Sequence, residues 1–412
     1  MNIPPTANEP CFSIVIPVYN KWELTAQCLR RLQETTFEYP FEVIVVDNAS
    51  TDSTVTELDV LGATLFGDGF HAFHLPSNTN FGPACNFGAQ KAKSPILFFL
   101  NNDTLATPGW APPLLTGLKE NPSIGAVGPL LLYANKTVQH VGVAFTIHKL
   151  THIYRHFPSE HPVVKKRRQV QTLTAAALML SREDFLSLGG FFPAYRNGFE
   201  DVDLCLRLIA QGKKLFCLPN SIIYHLESQT QGRTDHDNSN AKLLQARCGK
   251  LFRPDLHIHG TRDGFQPFIG DPMDILLAMK ADEEKALLAS MQDQPLGVWQ
   301  ECMRQNPLWI LGREHLAKLS EAQGEYTLAL LLRSEIASLR KNRDDYIRIL
   351  DLKHRVGEEN AGLMRAAAKS LQEIEALHQE KTVIRRTLRQ LVQFKDPLLS
   401  QIYEKKVREL NL

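Results

Sequence analysis

Acidic and amide side chains collect in this sequence directly after apolar runs, where they could hold a polar ligand together. The run FSIVIPV, with Pro17 and Val18 at its end, leads into Tyr19 and Asn20; FEVIVVD ends in Asp47 and leads into Asn48, Ala49 and Ser50; ILFFL leads into Asn101, Asn102 and Asp103. A carboxylate such as Asp47 accepts a hydrogen bond from an imide N–H, which suits a uracil or thymine ring. A carboxylate such as Asp103 repels a nearby diphosphate unless a divalent cation lies between them. Glu200, Asp201 and Asp203 form a further acidic group in FEDVDLC, at the start of a segment whose apolar side is Val202, Leu204, Cys205, Leu208 and Ile209. Singly, each group reads as a turn, a helix cap or a carboxylate favoured at a helix start. Their recurrence at three successive strand ends needs a common explanation.

The elements that position these groups follow from the apolar pattern. Phe12 to Val18 and Phe41 to Asp47 are short β-branched runs, and Trp22, Leu24, Ala26, Cys28, Leu29 and Leu32 between them have helical spacing, which makes a βαβ unit. Continuous apolar runs of this length predict strands covered on both faces, in a central, mostly parallel sheet. Further strands are expected at Phe70 to Leu75, Ile96 to Leu100, Ile124 to Val127, Val141 to Ile147, Leu173 to Leu180 and Ile222 to His225. Helices are expected at Phe81 to Lys91, Pro108 to Lys119 and Asp201 to Gln211. An open α/β sheet binds ligands at the carboxyl ends of its strands, where the polar groups lie. This α/β domain is expected to span residues 1–265. Residues 266–412 are rich in Leu, Ala, Glu, Lys and Arg at helical spacing and are expected to be all-helical. Leu316, Ala317, Leu319, Gly324, Tyr326 and Ala329 suggest one tetratricopeptide-type hairpin without a clear sister repeat, so a repeat array and a bundle both stay open.

Composition narrows the function classes. Lys+Arg at 46 nearly balances Asp+Glu at 45, so no global field draws the chain to nucleic acid. Seven scattered cysteines contain no Cys-x-x-Cys pair, which suits a reducing compartment. Met1 to Pro10 has no basic stretch followed by an apolar one, and no run reaches a membrane span, so the expected location is cytoplasmic. The dinucleotide, P-loop and nucleophile-elbow glycine patterns are absent, which counts against nicotinamide, ATPase and serine-hydrolase chemistry.

SIVIPVYNKWELTAQCLRRL, VIVVDNASTDST, NTNFGPACNFGAQKAKSPILFFLNNDT, VGVAF, LMLSREDFLSLGGF and FEDVDLCLRLIAQGKKLFCLPNSIIYH, in this order across residues 11 to 230, resemble the family 2 glycosyltransferases, closest to a bacterial branch of rhamnosyl- and galactofuranosyl-transferases. The resemblance implies a GT-A nucleotide-diphospho-sugar transferase fold, a Rossmann-like mixed sheet flanked by helices. It implies inverting transfer from a UDP- or dTDP-sugar to a hydroxyl of a glycan, a lipid-linked glycan or a related acceptor, assisted by Mg²⁺ or Mn²⁺. By the same resemblance Pro17, Tyr19, Asn20 and Asp47 surround the nucleobase and ribose, and Asn80, Gly82, Asn86 and Gly88 lie beside the nucleotide. Asn101, Asn102 and Asp103 occupy the place of the Asp-x-Asp motif, with Asp103 alone keeping the charge a metal needs. Asp201 resembles the general base, Glu200 and Asp203 fall on the acceptor side, and His225 matches a histidine that joins Asp103 on the metal.

This sequence departs from the family where Thr174-Ala175-Ala176-Ala177 replaces a Gly-containing segment and where Phe192 replaces an Asp. Lys165-Lys166-Arg167-Arg168 reads as an exposed loop before it reads as a site for an anionic acceptor. His148, His152 and His156 have helical spacing, but Ile147, Ile153 and Tyr154 favour strand or loop. The helical region is expected to serve self-association or protein contact, and the basic stretch Lys381 to Leu412 to be a solvated face before a peripheral membrane contact on the inner face. Two other classes compete. One is a catalytically weak nucleotide-sugar-binding protein that docks partners through its helices, against which the intact Asp47, Asp103 and Asp201 argue. The other is a nucleotidyltransferase, which would need a Gly-rich loop where Pro17 to Asn20 stands.

Overall fold

The computed structural model describes residues 10–36, 39–147, 149–226, 236–379 and 381–409, and the chain forms two compact units. One comprises Met1–Ala144 and His152–Phe252, the other Phe145–Thr151 and Arg253–Leu412. Up to residue 252 the elements follow in the order β1 (Phe12–Val18), α1 (Trp22–Thr35), β2 (Phe41–Asp47), α2 (Thr54–Phe66), β3 (Phe70–His74), α3 (Phe81–Lys91), β4 (Ile96–Leu100), β5 (Thr104–Ala106), α4 (Ala111–Lys119), β6 (Ile124–Leu132) and β7 (Val138–His140). After these come β8 (Val143–Phe145), β9 (Leu150–His152), β10 (Arg168–Val170), β11 (Ala177–Ser181), α5 (Arg182–Ser187), α6 (Glu200–Ala210), β12 (Lys214–His225) and α7 (Asp237–Cys248).

Among the described residues ten strands form one sheet in the order β10-β12-β6-β11-β4-β1-β2-β3, with β5 beside β12 and β7 beside β6. β1 is parallel to β2 and β4, β2 to β3, and β12 to β6, whereas β11 is antiparallel to both β4 and β6. The sheet is therefore mixed, with two parallel sections joined through β11. Burial explains the sequence pattern: in β1 every residue but Pro17 is buried, as expected of a strand with packed layers on both faces. α3 lies close on the sheet because Gly88 has no side chain; a Cβ there would stand 2.5 Å from Val15 Cγ1. Trp110, ahead of α4, is fully buried, packs 4.6 Å from the Phe98 ring and donates its indole N–H to Thr36 Oγ1 at 2.8 Å. Burying such a ring removes roughly 200 Å² from water, worth about 5 kcal/mol. Because β1, β2 and β4 are parallel, Val18, Asp47 and Leu100 end on one edge of the sheet, on strands about 4.8 Å apart.

The second unit is helical, and it also contains a two-stranded hairpin that the helical spacing did not announce, β13 (Gln266–Ile269) with β14 (Ile275–Ala278). Its helices are α8 (Leu256–Arg262), α9 (Ala281–Ser290), α10 (Leu296–Gln305), α11 (Ile310–Ala322), α12 (Tyr326–Arg340), α13 (Arg343–Asp351), α14 (Ala361–Gln379), α15 (Lys381–Phe394) and α16 (Pro397–Glu409). α11 and α12 form the hairpin expected around Gly324, which turns with φ +79. Arg333 to Glu321 at 2.8 Å and Arg313 to Glu335 at 2.7 Å clamp the pair. From α11 to α14 each helix packs on the next in sequence. Buried Asp274 meets Lys149 and Lys341, and buried Asp271 meets Lys406 at 2.7 Å. Among the described residues no helix is long and apolar enough to cross a membrane.

Candidate active site

The loops after β1, β2 and β3 are stitched to one another. Asn20 N donates to Ser50 Oγ at 2.7 Å, and Thr51 N donates to Asn20 Oδ1 at 2.7 Å. Asn48 holds the third loop: its Nδ2 donates to Asn78 Oδ1 at 3.0 Å and to the Asn80 carbonyl at 3.1 Å, while its Oδ1 accepts from Thr79 N at 2.8 Å. Asn20, Lys21, Ala49 and Asn80 have φ of 55, 61, 66 and 70, in the left-handed region. That region costs an L-residue about 1–2 kcal/mol, and such strain gathered along one sheet edge marks a functional site.

The predicted nucleotide residues fare differently. Pro17, one residue before the end of β1, pairs with Val46, Tyr19 is 47% exposed, and Asn20 and Asn80 lie in the stitched loops. Asp47 is only 2% exposed; Oδ1 accepts from Ser50 N at 2.9 Å and Oδ2 meets His74 Nδ1 at 2.8 Å. His74 Nε2 in turn meets Asp59 Oδ2 at 2.9 Å. An imidazole between two carboxylates donates from both nitrogens, and the hydrogen bond to Asp47 raises its pKa above the ordinary value, with burial opposing and Asp59 adding to the rise. Asn86 requires a correction. Its Nδ2 donates to the Phe191 carbonyl at 2.8 Å and its Oδ1 accepts from Phe191 N at 2.8 Å, so this amide clamps the backbone beyond Gly190 instead of reaching a nucleotide. Gly190 itself is obligatory there, with φ +69 and a Cβ position 2.4 Å from Asn86 Oδ1.

After β4, Asn102 Nδ2 donates to Thr25 Oγ1 of α1 at 2.9 Å, and Asp103 Oδ1 stands 3.1 Å from His225 Nε2 at the end of β12. Register brings them together, because β5 pairs Thr104 with His225. Gln139 of β7 holds the other side of this imidazole, with Oε1 2.7 Å from Nδ1 and Nε2 donating to the His225 carbonyl at 3.2 Å. Beneath the loop, burial pushes the Cys28 thiol up to about 12, so it stays protonated and donates to the Asn101 carbonyl at 3.8 Å. The pair fits a divalent cation: two adjacent ligands on an octahedral ion with bonds of ~2.1 Å lie about 3 Å apart. Among the described residues no group of three or more His, Cys, Asp or Glu could hold a metal, so a diphosphate or water would complete the coordination, as is usual for Mg²⁺.

Asp201 lies in the first turn of α6, behind Phe199 with φ 73. Its Oδ2 accepts from Ala175 N at 3.0 Å, and the next carbonyl, of Ala176, accepts from Asn101 N at 3.0 Å. Two consecutive residues of the segment that departs from the family thus tie Asp201 to the loop bearing Asp103. Glu200 and Asp203, expected on the acceptor side, both need correction. Asp203 is fully buried; it takes Arg207 at 2.5 Å, Arg247 at 2.7 Å and the Tyr195 hydroxyl at 3.2 Å. Burial opposes its charge, but the hydrogen bond from Arg247 and the charge of Arg207 outweigh it and hold the carboxyl below the usual range. Glu200, 6% exposed, turns back to accept from Gly198 N at 2.7 Å. Both side chains face inward because α6 presents this side to α7 and to the 188–199 loop.

Sequence reasoning did not find the residues that brace the site. Buried Asn240 of α7 accepts from Arg196 N at 3.3 Å and donates to the Arg196 and Gly198 carbonyls at 3.0 and 3.1 Å. Asn197 Oδ1 accepts from Phe81 N at the start of α3 at 3.2 Å. No local pattern marks Gln139 or Asn240, whose partners lie 86 and 44 positions away. The basic run is partly absorbed: Arg168 is buried, Arg167 stacks 4.3 Å over Phe216 and pairs with Glu120 at 2.5 Å, and Lys165 and Lys166 are exposed. Of the three spaced histidines, His148 lies outside the described residues, His152 ends β9 and His156 has φ 67, so no helix aligns them.

Residues 13–186 match the family described as Glycosyl transferase family 2, and residues 155–229 match the N-terminal domain of galactosyltransferase. The O-antigen biosynthesis protein RfbC of Myxococcus xanthus is 32% identical over 241 residues, 55% of this chain and 18% of that protein. The pre-mycofactocin glycosyltransferase of Mycobacterium tuberculosis (strain ATCC 25618 / H37Rv) is 29% identical over 221 residues, 54% of this chain and 43% of that protein. A crystal structure of GalNAc-T7 with UDP, GalNAc and Mn²⁺ aligns with a TM-score of 0.45 at 18% identity, over 53% of this chain and 44% of that one. The chain spans less than half the length of each.

Proposed function

We propose, from the match of residues 13–186 to the Glycosyl transferase family 2, that the chain moves a sugar from a UDP- or dTDP-sugar to a hydroxyl of a glycan or lipid-linked glycan, with inversion. The observation that carries this reading is the Ala175-Ala176 bridge, which joins Asp201 to the loop of Asp103 and, through it, to His225. Asp201 accepts the acceptor's proton as that oxygen bonds to the anomeric carbon, and the bond from that carbon to the diphosphate oxygen breaks. Ala175 N–H aims the carboxylate for this task. Asp103 and His225 would hold Mg²⁺ or Mn²⁺, which when bound stabilises negative charge on the departing diphosphate. The stitched loops around Pro17, Tyr19, Asn20, Asn48 and Asn80 receive the nucleoside, and Asp47 with His74 braces them from below. O-antigen synthesis by one relative supports a surface polysaccharide as the product class.

Seven free cysteines support a reaction in the cytoplasm, at the inner face of the membrane where the acceptor is lipid-linked. Exposed Leu319 and Leu331 on the α11–α12 hairpin support a role for the second unit in contact with a partner or a second copy.

Two substitutions test the assignment. Asp201→Asn should abolish transfer in a donor-panel assay while leaving calorimetric affinity for UDP with Mn²⁺ unchanged; surviving turnover refutes the base. Asp103→Ala should remove the Mn²⁺-dependent part of UDP affinity, and equal titrations with and without EDTA for wild type refute the metal role.

A further inference from the structure

We propose that Gln139 fixes the proton of His225 on Nδ1, so that the nitrogen facing Asp103 is a bare lone pair ready for a divalent cation. This deepens the reading of Asp103 and His225 as cation ligands and rests on it.

Gln139 is 3% exposed and holds one residue at two points: its Nε2 lies 3.2 Å from the His225 carbonyl, and its Oε1 lies 2.7 Å from His225 Nδ1. A carbonyl oxygen only accepts, so the amide must present its NH₂ there. Turning the amide over would set two oxygens against each other at the carbonyl. With the amide so oriented, an oxygen faces Nδ1, and an amide oxygen also only accepts. Nδ1 therefore carries the hydrogen, and in the neutral ring Nε2 carries the lone pair.

That nitrogen lies 3.1 Å from Asp103 Oδ1. Asn101 Nδ2, at 3.4 Å, is a donor but too distant for a strong bond. Two lone pairs at this separation repel one another, and a cation coordinated by both turns the repulsion into attraction. Gln139 thus does what an outer partner of a ligating histidine does: it selects the tautomer and orients the ring. The role is one of positioning, since Gln139 reaches the cation site only through His225.

The test uses the full-length chain, Mn²⁺ and UDP. With histidine labelled in ¹⁵N and His225→Asn used for assignment, metal-free wild type should show a protonated Nδ1 and an unprotonated Nε2 in the neutral ring. An Nε2–H tautomer overturns the proposal without any variant. Gln139→Met, which keeps the length and removes both hydrogen bonds, should weaken Mn²⁺ binding, followed by electron paramagnetic resonance with UDP present, by about 10- to 100-fold. Gln139→Glu, which still accepts from Nδ1, should retain the tautomer and recover part of that affinity. A Gln139→Met protein with Mn²⁺ affinity within twofold of wild type overturns the proposal, as does wild type that binds no Mn²⁺. A protein with the expected tautomer and Mn²⁺ affinities but no transfer to any acceptor would leave Gln139 in place and count against the transferase reading alone.

Discussion

The two sides of the candidate site are held by different means. On the strand-end side, Asn20, Asn48 and Asp52 bond to a neighbouring loop or helix start from within the short motifs that carry them, with Trp22 N donating to Asp52 Oδ2 at 2.9 Å. On the side of Asp201, the 188–199 loop is anchored from outside: Asn86 of α3 holds Phe191, Arg207 of α6 donates to the Leu188 and Gly190 carbonyls at 2.8 Å each, and Asn240 of α7 holds Arg196 and Gly198. A self-stitched rim can receive a ligand with little rearrangement, whereas a loop anchored by three helices transmits any shift of those helices to Asp201. Disturbing the first should change donor affinity, and disturbing the second should change turnover.

Asp203 offers the largest effect. Removing one member of a buried charge group costs about 3–5 kcal/mol, because the remaining charges lose their partner without regaining water. Asp203→Ala should lower the unfolding free energy of the first unit, from denaturant titration, by a comparable amount and release Arg207 from the loop, so that turnover falls along with stability. An unfolding free energy unchanged within ~0.5 kcal/mol would show that Arg207 and Arg247 find other partners. The next effect separates the two sides directly. Asn240→Ala leaves two carbonyls and an N–H of the 196–198 segment unsatisfied, at about 1–3 kcal/mol. It should reduce kcat about tenfold or more with the donor KM unchanged. Asn48→Ala should do the opposite, raising the donor KM with kcat preserved, and matching losses in kcat for both variants would erase the distinction.

The same difference explains what was legible in the sequence. β1, β2 and β4 were readable to the residue because burial on both faces writes itself as an uninterrupted apolar run. α2 was not, since its Val55 and Val60 are 51% and 66% exposed and the buried face reduces to Thr54, Leu58 and Gly62. Only the last four residues of β12 were expected, because Pro219 and Asn220 argue against a strand; a register shift between Leu218 and Ile222 absorbs them. In the site, strand ends and the family resemblance singled out Asp103, Asp201 and His225 as candidates, whereas the burial of Asp203 and Glu200 depends on arginine and loop contacts that no local pattern contains. Asn86 was misread for the same reason: its partner is the backbone of Phe191, 105 positions away.

His74 gives the smallest effect and the one that reports on the strand-end side without a ligand. Its pKa is raised, first by the hydrogen bond to Asp47, against burial, and then by Asp59. A histidine with a raised folded pKa contributes stability that is fully present below the unfolded value of about 6.5 and fades as pH climbs through the folded value. The ring is 39% exposed and Asp59 62% exposed, so solvent screening keeps the contribution under ~1 kcal/mol. Wild type should therefore exceed His74→Gln in stability by most below the unfolded value, and the two unfolding midpoints should converge as pH rises past the raised folded value. Convergence in the opposite direction would mean that the ring is neutral between its two carboxylates, and Asp47 would then lose the charged partner that holds it under the stitched loops.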